Sequence, residues 1–233
     1  MMNTSRPAFG HAARGAALLV LGLALLSFGA DAAAAKKAAA KKKEPAKTSR
    51  PRDLARTTAT LKTSQGDVTI RFLVDKAPSA AKAFVDLAEK GFYDGTLFHR
   101  VIPGFVVQGG DPRTKVPGLD PKTYGFGENA DDKGMPIHIK AEFNDVPFRR
   151  GVVAMARRDP DPDSASSQFF IIVKDSPFLD RRETAFAEVV KGMEVVDKLV
   201  IESRPNLMAQ NGGQPTVYQK LAKVELSEEG AAK

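Results

Sequence analysis

Arg100, Phe105 and Gln108 fall within one fourteen-residue stretch, FHRVIPGFVVQGGD from Phe98 to Asp111. One fixed cation, one carboxamide and large apolar side chains read either as a set able to do chemistry together or as a strand-end arginine, a core phenylalanine and a polar glutamine. A guanidinium does not lose its proton in proteins, so Arg100 can donate hydrogen bonds and charge but cannot shuttle protons. The Pro103-Gly104 pair reads as a turn, and Phe105-Val106-Val107-Gln108 then alternates as a short strand. Strict alternation puts Phe105 and Val107 on one face and Val106 and Gln108 on the other. A twist or a bulge is needed to bring Phe105 and Gln108 to one site.

Hydrolytic and metal chemistry finds no comparable set. The chain has no cysteine and three histidines, His11, His99 and His138, and none belongs to an HExxH or paired-ligand spacing. Glycines 91, 95, 104, 109 and 110 form no GxGxxG loop. Asp159, Asp161 and Asp163 alternate as in a calcium loop, but prolines intervene, and the glycine and distal glutamate of that motif are missing. No cofactor and no metal are expected. A second group of residues gathers further along. Gly151–Ala156 (GVVAMA) leads into a charged loop, and the chain returns as SSQFFIIV from Ser166. Gln168 and Phe170 share a face there, opposite Phe169 and Ile171. Pro177–Asp180 (PFLD) adds Phe178 and Leu179 on a loop.

The elements that must position these residues are short. TATLKTS and DVTIRFLV alternate around a hairpin turn at Gln65-Gly66-Asp67. APSAAKAFVDLAEKGF places Ala80, Phe84, Leu87 and Ala88 on one helical stripe, with Pro78 in the first turn and Gly91 at the C-cap. Further strands are expected at Leu97–Arg100, Phe105–Gln108, His138–Phe143, Val152–Met155, Phe169–Val173, Ala185–Val189 and Thr216–Leu226. A second helix is expected near Met193–Ile201. Many strands and two helices, without a strand–helix rhythm, imply a mainly β protein with a closed or nearly closed sheet capped by helices.

The whole chain adds constraints. Arg6 and Arg14 precede GAALLVLGLALLSFGA and then Ala30-Asp31-Ala32, the pattern of an export signal over 1–32 cut near Ala32. The alternative is an uncleaved anchor, for which Ala16–Ala30 is short against a bilayer core of about 30 Å. Residues 33–56 carry nine Lys or Arg and two acids, whereas 57–233 carry 24 basic and 25 acidic residues. The basic balance therefore belongs to a flexible Ala/Lys-rich segment, which argues against a nucleic-acid-binding domain. That segment is either a plain linker or a tether that touches anionic envelope surfaces. The organisation expected is signal 1–32, linker 33–56, folded domain 57–228 and tail 229–233. The location expected is outside the cytoplasm, the periplasm foremost, with extracellular and signal-anchored forms as alternatives.

GDVTIRF, APSAAKAFVDLAEKGFYDGTLFHRVIPGFVVQGGDP, AMA…SSQFFI and PFLD…FAEVVKGMEVVDKL together resemble the cyclophilin family of peptidyl-prolyl cis–trans isomerases, from about Thr60 to Val224. The resemblance implies a closed eight-stranded antiparallel barrel capped by two helices. It implies rotation about Xaa-Pro bonds, with proline-containing unfolded or partly folded polypeptides as partners; the chain is expected to be a monomer. Arg100 then becomes the catalytic guanidinium, with Phe105 and Gln108 beside it. Phe105, Val106, Met155, Phe170 and Leu179 become the proline-pocket walls, while Ala156, Arg157 and Gln168 line the groove for the preceding residue. A binding module or holdase that uses the same groove with little turnover is the alternative.

Three positions depart from the family pattern. Phe178 stands where a tryptophan is frequent, which implies weak cyclosporin binding. Glu183 stands where histidine or tyrosine is frequent, and Arg157 where asparagine is usual. Glu183 is read either as a pocket residue or as part of a solvated turn with a local ion pair. The segment PRTKVPGLDPKTYGFGENADDKG replaces the usual glycine-rich signature after Gly110.

Overall fold

The computed structural model describes residues 52–208 and 212–228. The signal-like segment, nearly all of the Lys-rich stretch and the tail 229–233 lie outside the described residues. Alternating side chains build an antiparallel hairpin from β1 (Thr57–Thr63) and β2 (Gly66–Phe72), in which Ala59, Leu61, Val68 and Ile70 are fully buried. Helix α1 (Pro78–Glu89) starts with Pro78 in its first turn and buries its predicted stripe. The Glu142 carboxylate accepts from Ser79 N and Ala80 N at 3.0 and 2.9 Å, pairing free amides of the first turn and placing negative charge at the positive end of the helix.

The chain continues through β3 (Leu97–Phe98), β4 (Arg100–Ile102), β5 (Val106–Gly109), β6 (Val152–Met155), β7 (Phe169–Ile172) and β8 (Ala185–Lys191). Helix α2 (Met193–Ser203), the two-residue strands β9 (Pro205–Asn206) and β10 (Gln214–Pro215), and β11 (Gln219–Glu228) complete it. The main sheet has nine strands in the order β3-β11-β1-β2-β8-β6-β7-β5-β4. This corrects the expectation of a closed eight-stranded barrel: the sheet curls into a nine-stranded barrel that is not fully closed. The strand expected at Leu97–Arg100 breaks at His99. Phe98 and Leu97 pair with Gln219 and Lys220 of β11, whereas Arg100 pairs with Gln108 of β5. The two free edges of the sheet are thus consecutive pieces of one chain segment, and no ladder joins them.

His138–Phe143 is a second correction, because only Ile139 forms a bridge, to Ala165. Side chains take the backbone donors that a strand would need. Asp163 Oδ1 accepts from Ala141 N at 2.8 Å, and Thr184 Oγ1 accepts from Glu142 N at 2.9 Å.

Strand parity separates two apolar clusters on opposite faces of β5, β7 and β6. Val101, Val107, Ile171 and Val153 enter the barrel interior with the apolar faces of both helices. Phe84 of α1 plugs one end there, with ring centroids 4.8 Å from Tyr93, 5.4 Å from Phe169 and 5.5 Å from Phe186. Each such buried ring contributes about 1.5–3 kcal/mol from burial. The second cluster lies outside the barrel, where Val106, Ala154, Phe170 and Ile172 meet Phe148, Ala185, Phe105 and Leu179.

Candidate active site

Register decides which side chains meet on the outer face. Arg100 pairs with Gln108, Gln108 with Phe170, and Phe170 with Ala154, so segments from four strands form one row. Phe105 joins this row although simple alternation puts it on the other face. It precedes β5, in the turn where its N–H donates to Ile102 O at 3.0 Å, so strand parity does not bind it.

The row floors a cleft of ≈ 240 Å³. Phe105, Val106, Phe170 and Leu179 supply apolar walls, Arg100 and Gln108 one polar edge, and Ala156, Arg157, Asp159 and Glu183 the opposite rim. Leu179 closes a short 3-10 turn, Pro177–Leu179, which is anchored where Asp180 Oδ1 accepts from Phe148 N at 2.7 Å. Phe178, at 61 % exposure, tilts against Phe105 with centroids 5.5 Å apart and extends the apolar edge outward. Met155 does not reach the cleft. Its neighbour Ala154 faces the outer cluster, so Met155 points inward and is buried in the barrel core.

A hydrogen-bond chain fixes the polar edge. Arg100 Nη1 donates to Gln108 Oε1 at 3.3 Å, and Gln108 Nε2 donates to Gln168 Oε1 at 3.0 Å. Gln168 Nε2 donates to Gly125 O and Gly127 O at 3.0 and 2.8 Å. Those carbonyls are held in turn by Asp111, which is fully buried and accepts from Arg113 N, Gly125 N and Gly127 N at 2.7, 2.5 and 3.2 Å. A Cβ at position 127 would stand 1.9 Å from Asp111 Oδ1, so only glycine admits the carboxylate. Burial pushes the Arg100 pKa down from its ordinary value, which marks a guanidinium already partly stripped of water. Gln168 and Gln108 also line a smaller pocket of ≈ 40 Å³ that shares Ala156 and Arg157 with the main cleft.

The far rim is an ion-pair cluster. Arg157 donates from Nε and Nη2 to the two Glu183 oxygens at 3.1 and 3.0 Å, and from Nη1 to Asp159 at 2.6 Å. Glu183 therefore both lines the cleft and is paired. Burial pushes its carboxyl pKa up, against the pull of Arg157. The same guanidinium lies 5.9 Å from the Phe143 ring centroid.

Sequence reasoning missed Asp111, and weighed Asp159 only as part of a calcium-like alternation and not as a rim residue. Asp111-Pro112 carried a usable signal, an N-cap residue followed by proline, and Asp111 caps the 3-10 turn Pro112–Lys115. Asp159 carried none, because its position depends on how the charged loop folds over the rim.

Comparisons with known proteins agree with this arrangement. The family model for cyclophilin type peptidyl-prolyl cis-trans isomerase/CLD matches residues 58–225. A peptidyl-prolyl cis-trans isomerase of Acinetobacter baylyi is 42% identical over 152 residues, which cover 63% of this chain and 73% of that protein. Peptidyl-prolyl cis-trans isomerase B of Escherichia coli is 41% identical over 149 residues, 60% of this chain and 82% of that protein. The crystal structure of a cyclophilin type isomerase of Cryptosporidium parvum, in the presence of the dipeptide ala-pro, superposes with a TM-score of 0.61 at 25% identity, covering 74% of this chain and 99% of that one. The chain belongs to the cyclophilin-type peptidyl-prolyl cis-trans isomerase family, and its activity is the prolyl isomerisation of that family.

Proposed function

We propose that Arg100 is the group that accelerates rotation, by donating a hydrogen bond to the prolyl nitrogen at the twisted transition state. An amide resists rotation with a barrier of about 18–20 kcal/mol because nitrogen shares its lone pair with the carbonyl. Rotation returns that lone pair to nitrogen, which becomes a better acceptor. A donor aimed there binds the transition state more tightly than either planar ground state. No bond is made or broken, so the step requires neither a nucleophile nor a titrating acid. Phe105, Val106, Phe170 and Leu179 grip the ring while the acyl side turns.

The carrying observation is the placement of Arg100 at the cleft edge, half-buried and bonded to its register partner Gln108. A rate of roughly 10²–10³ per second, against tens to hundreds of seconds unaided, requires about 5–7 kcal/mol of barrier lowering. A partly desolvated, charge-assisted hydrogen bond supplies several of those. Arg100→Ala is expected to lower kcat/KM at least about 100-fold with an unchanged circular dichroism spectrum. A loss below threefold in a protease-free peptide assay sinks this role for Arg100.

The clients proposed are proline-containing segments of exported proteins in the periplasm, and the enzyme acts as a monomer, since one chain supplies every wall of the cleft. Arg6, Arg14, the apolar run after them and the small residues Ala30 and Ala32 support export. N-terminal sequencing of protein recovered from the periplasm tests it, and an intact Met1 in a cytoplasmic fraction overturns it. The Lys-rich stretch supports weak contact with anionic envelope surfaces. Deleting 33–56 should then reduce envelope binding at low salt and leave it unchanged at high salt. Phe178 supports weak cyclosporin binding, because phenylalanine has no indole N–H to donate.

A further inference from the structure

Among the described residues, Asp111 alone of the carboxylates is fully buried. It caps the 3-10 turn Pro112–Lys115, but a cap needs one neutral oxygen, which serine, threonine or asparagine supplies. A charge is costly to bury unless it is fully bonded, so a carboxylate here points to a second task. We propose that Asp111 is a positioning residue for prolyl isomerisation: it holds Gly125 and Gly127 so that their carbonyls fix the direction of the carboxamide chain that ends on Arg100. The proposal deepens the isomerase reading and rests on it for the role of the guanidinium.

A carboxamide rotated by half a turn keeps its shape but exchanges donors for an acceptor. Packing alone therefore does not settle which end of Gln108 meets Arg100. The hydrogen bonds do. A guanidinium has donors only, so Gln108 must offer Oε1, which accepts at 3.3 Å. Gln108 Nε2 is then committed to donate, and Gln168 Oε1 accepts from it at 3.0 Å. Gln168 Nε2 is committed in turn, and Gly125 O and Gly127 O take its two hydrogens at 3.0 and 2.8 Å. Those carbonyls can only accept. If Gln168 turned over, its oxygen would face two carbonyl oxygens and its nitrogen would face Gln108 Nε2. Gln108 would have to turn as well, and would set its own N–H groups against the guanidinium. One pair of carbonyls thus sets the sense of the whole chain.

Asp111 makes the pair. Its Oδ2 accepts from both Gly125 N and Gly127 N, so the two glycines on either side of Phe126 are drawn to one point. Its Oδ1 takes Arg113 N and ties the same carboxylate to the turn that follows it. A carboxamide at position 111 has one oxygen for these three donors and adds N–H groups of its own among them. The span from Asp111 to Gln168 is fixed by the residues just before each. Ser167 Oγ donates to Gly110 O at 2.9 Å, and the Tyr93 hydroxyl donates to Ser167 O at 3.1 Å. A Cβ on Gly110, whose φ is +85°, would stand 2.7 Å from Ser167 O, so the two segments meet only with glycine there. Asp111 therefore acts on Arg100 through the loop glycines, Gln168 and Gln108.

The test reads kcat and KM separately in the protease-free peptide assay and follows the Arg100 Nε–H resonance by NMR. Asp111→Asn should lower kcat about tenfold and leave KM within about twofold, because the donor is misdirected while the apolar walls stay. Its cost should fall below about twofold in a Gln168→Ala background, where the chain is already cut. A merely structural defect gives the same loss in both backgrounds, and that result overturns the proposal. Gln168→Glu keeps Asp111 and the side-chain shape but removes the donor, and it covers the case in which Asp111→Asn does not fold. It should also lose about tenfold in kcat, and an unchanged kcat overturns the proposal. The Arg100 resonance should move in both variants, and a resonance that stays in place is equally adverse. If Arg100→Ala costs less than about threefold, the isomerase role of Arg100 fails, and the resonance still reports whether Asp111 directs the guanidinium.

Discussion

Arg100 and Gln108 face one another across the β4–β5 ladder, and Arg100 Nη1 donates to Gln108 Oε1 at 3.3 Å. The strand pairing that builds the barrel edge is therefore also what aims the guanidinium. Gln108 has its other end tied to Gln168, so the aim is set from β4, β5 and the residue that leads into β7.

Gln108 is accordingly a positioning residue for Arg100, and Gln108→Ala should lower kcat/KM about tenfold, the effect of one orienting hydrogen bond of about 1.4 kcal/mol. The discriminating measurement is the double variant. In an Arg100→Ala background, Gln108→Ala should cost less than about twofold further, because nothing remains to be aimed. A full tenfold loss in that background assigns Gln108 an independent role instead.

His99 gives a pH dependence with a definite sign. The residue is 6 % exposed, and neither ring nitrogen has a partner within hydrogen-bond geometry, although Leu97 O and the Gln168 amide lie nearby. Burial lowers its folded-state pKa below 6.5, opposed by Asp111 and reinforced weakly by Arg100. Below 6.5 the unfolded chain takes up a proton that the folded ring refuses, so stability falls as pH drops, by at most about 1.4 kcal/mol per pH unit from this group. Urea unfolding from pH 7.5 to 5.5 should show a shallower decline for His99→Phe than for the wild type. Glu183, whose pKa is raised, contributes in the opposite direction, and it is present in both proteins. Parallel slopes would falsify the assignment.

Arg157 and Glu183 form a pair whose side chains are 16% and 14% exposed. Arg157→Ala leaves the Glu183 carboxylate largely buried and unpaired, and should destabilise by about 1–3 kcal/mol, less than for a fully dry pair because water reaches the rim. Removing both partners should recover part of that loss, because the stranded charge goes with them. Denaturant midpoints of the two single variants and the double variant check this. A double variant no more stable than Arg157→Ala means that Glu183 contributes nothing by charge.

Local pattern made much of this legible. The 3-4 spacing of Ala80, Phe84 and Leu87, the alternation in β1 and β2, and the shared parity of Gln168 and Phe170 each follow from the 3.6- and 2-residue periods, and the structure shows all three. Phe105 escaped the same logic because a residue in a turn takes its direction from the turn. His138–Phe143 escaped it because Asp163 and Thr184 claim its amides, and neither claim can be read from the segment itself. Met155 shows parity overruling expectation: once Ala154 faces out, its neighbour must face in.

By itself the sequence determined which residue types are available for the chemistry, a fixed donor, a carboxamide and a set of apolar walls, together with the family to which their motifs point. Tertiary structure decided the rest. Breaking the strand at His99 left the barrel open between β3 and β4. Inter-strand register set Arg100, Gln108 and Phe170 in one row, and the loops folded back to pair Glu183 with Arg157. Those outcomes depend on hydrogen bonds between residues far apart in the chain, such as Gln108 to Gln168 across 60 positions and Arg157 to Glu183 across 26, and a reading of local periods contains no term for them.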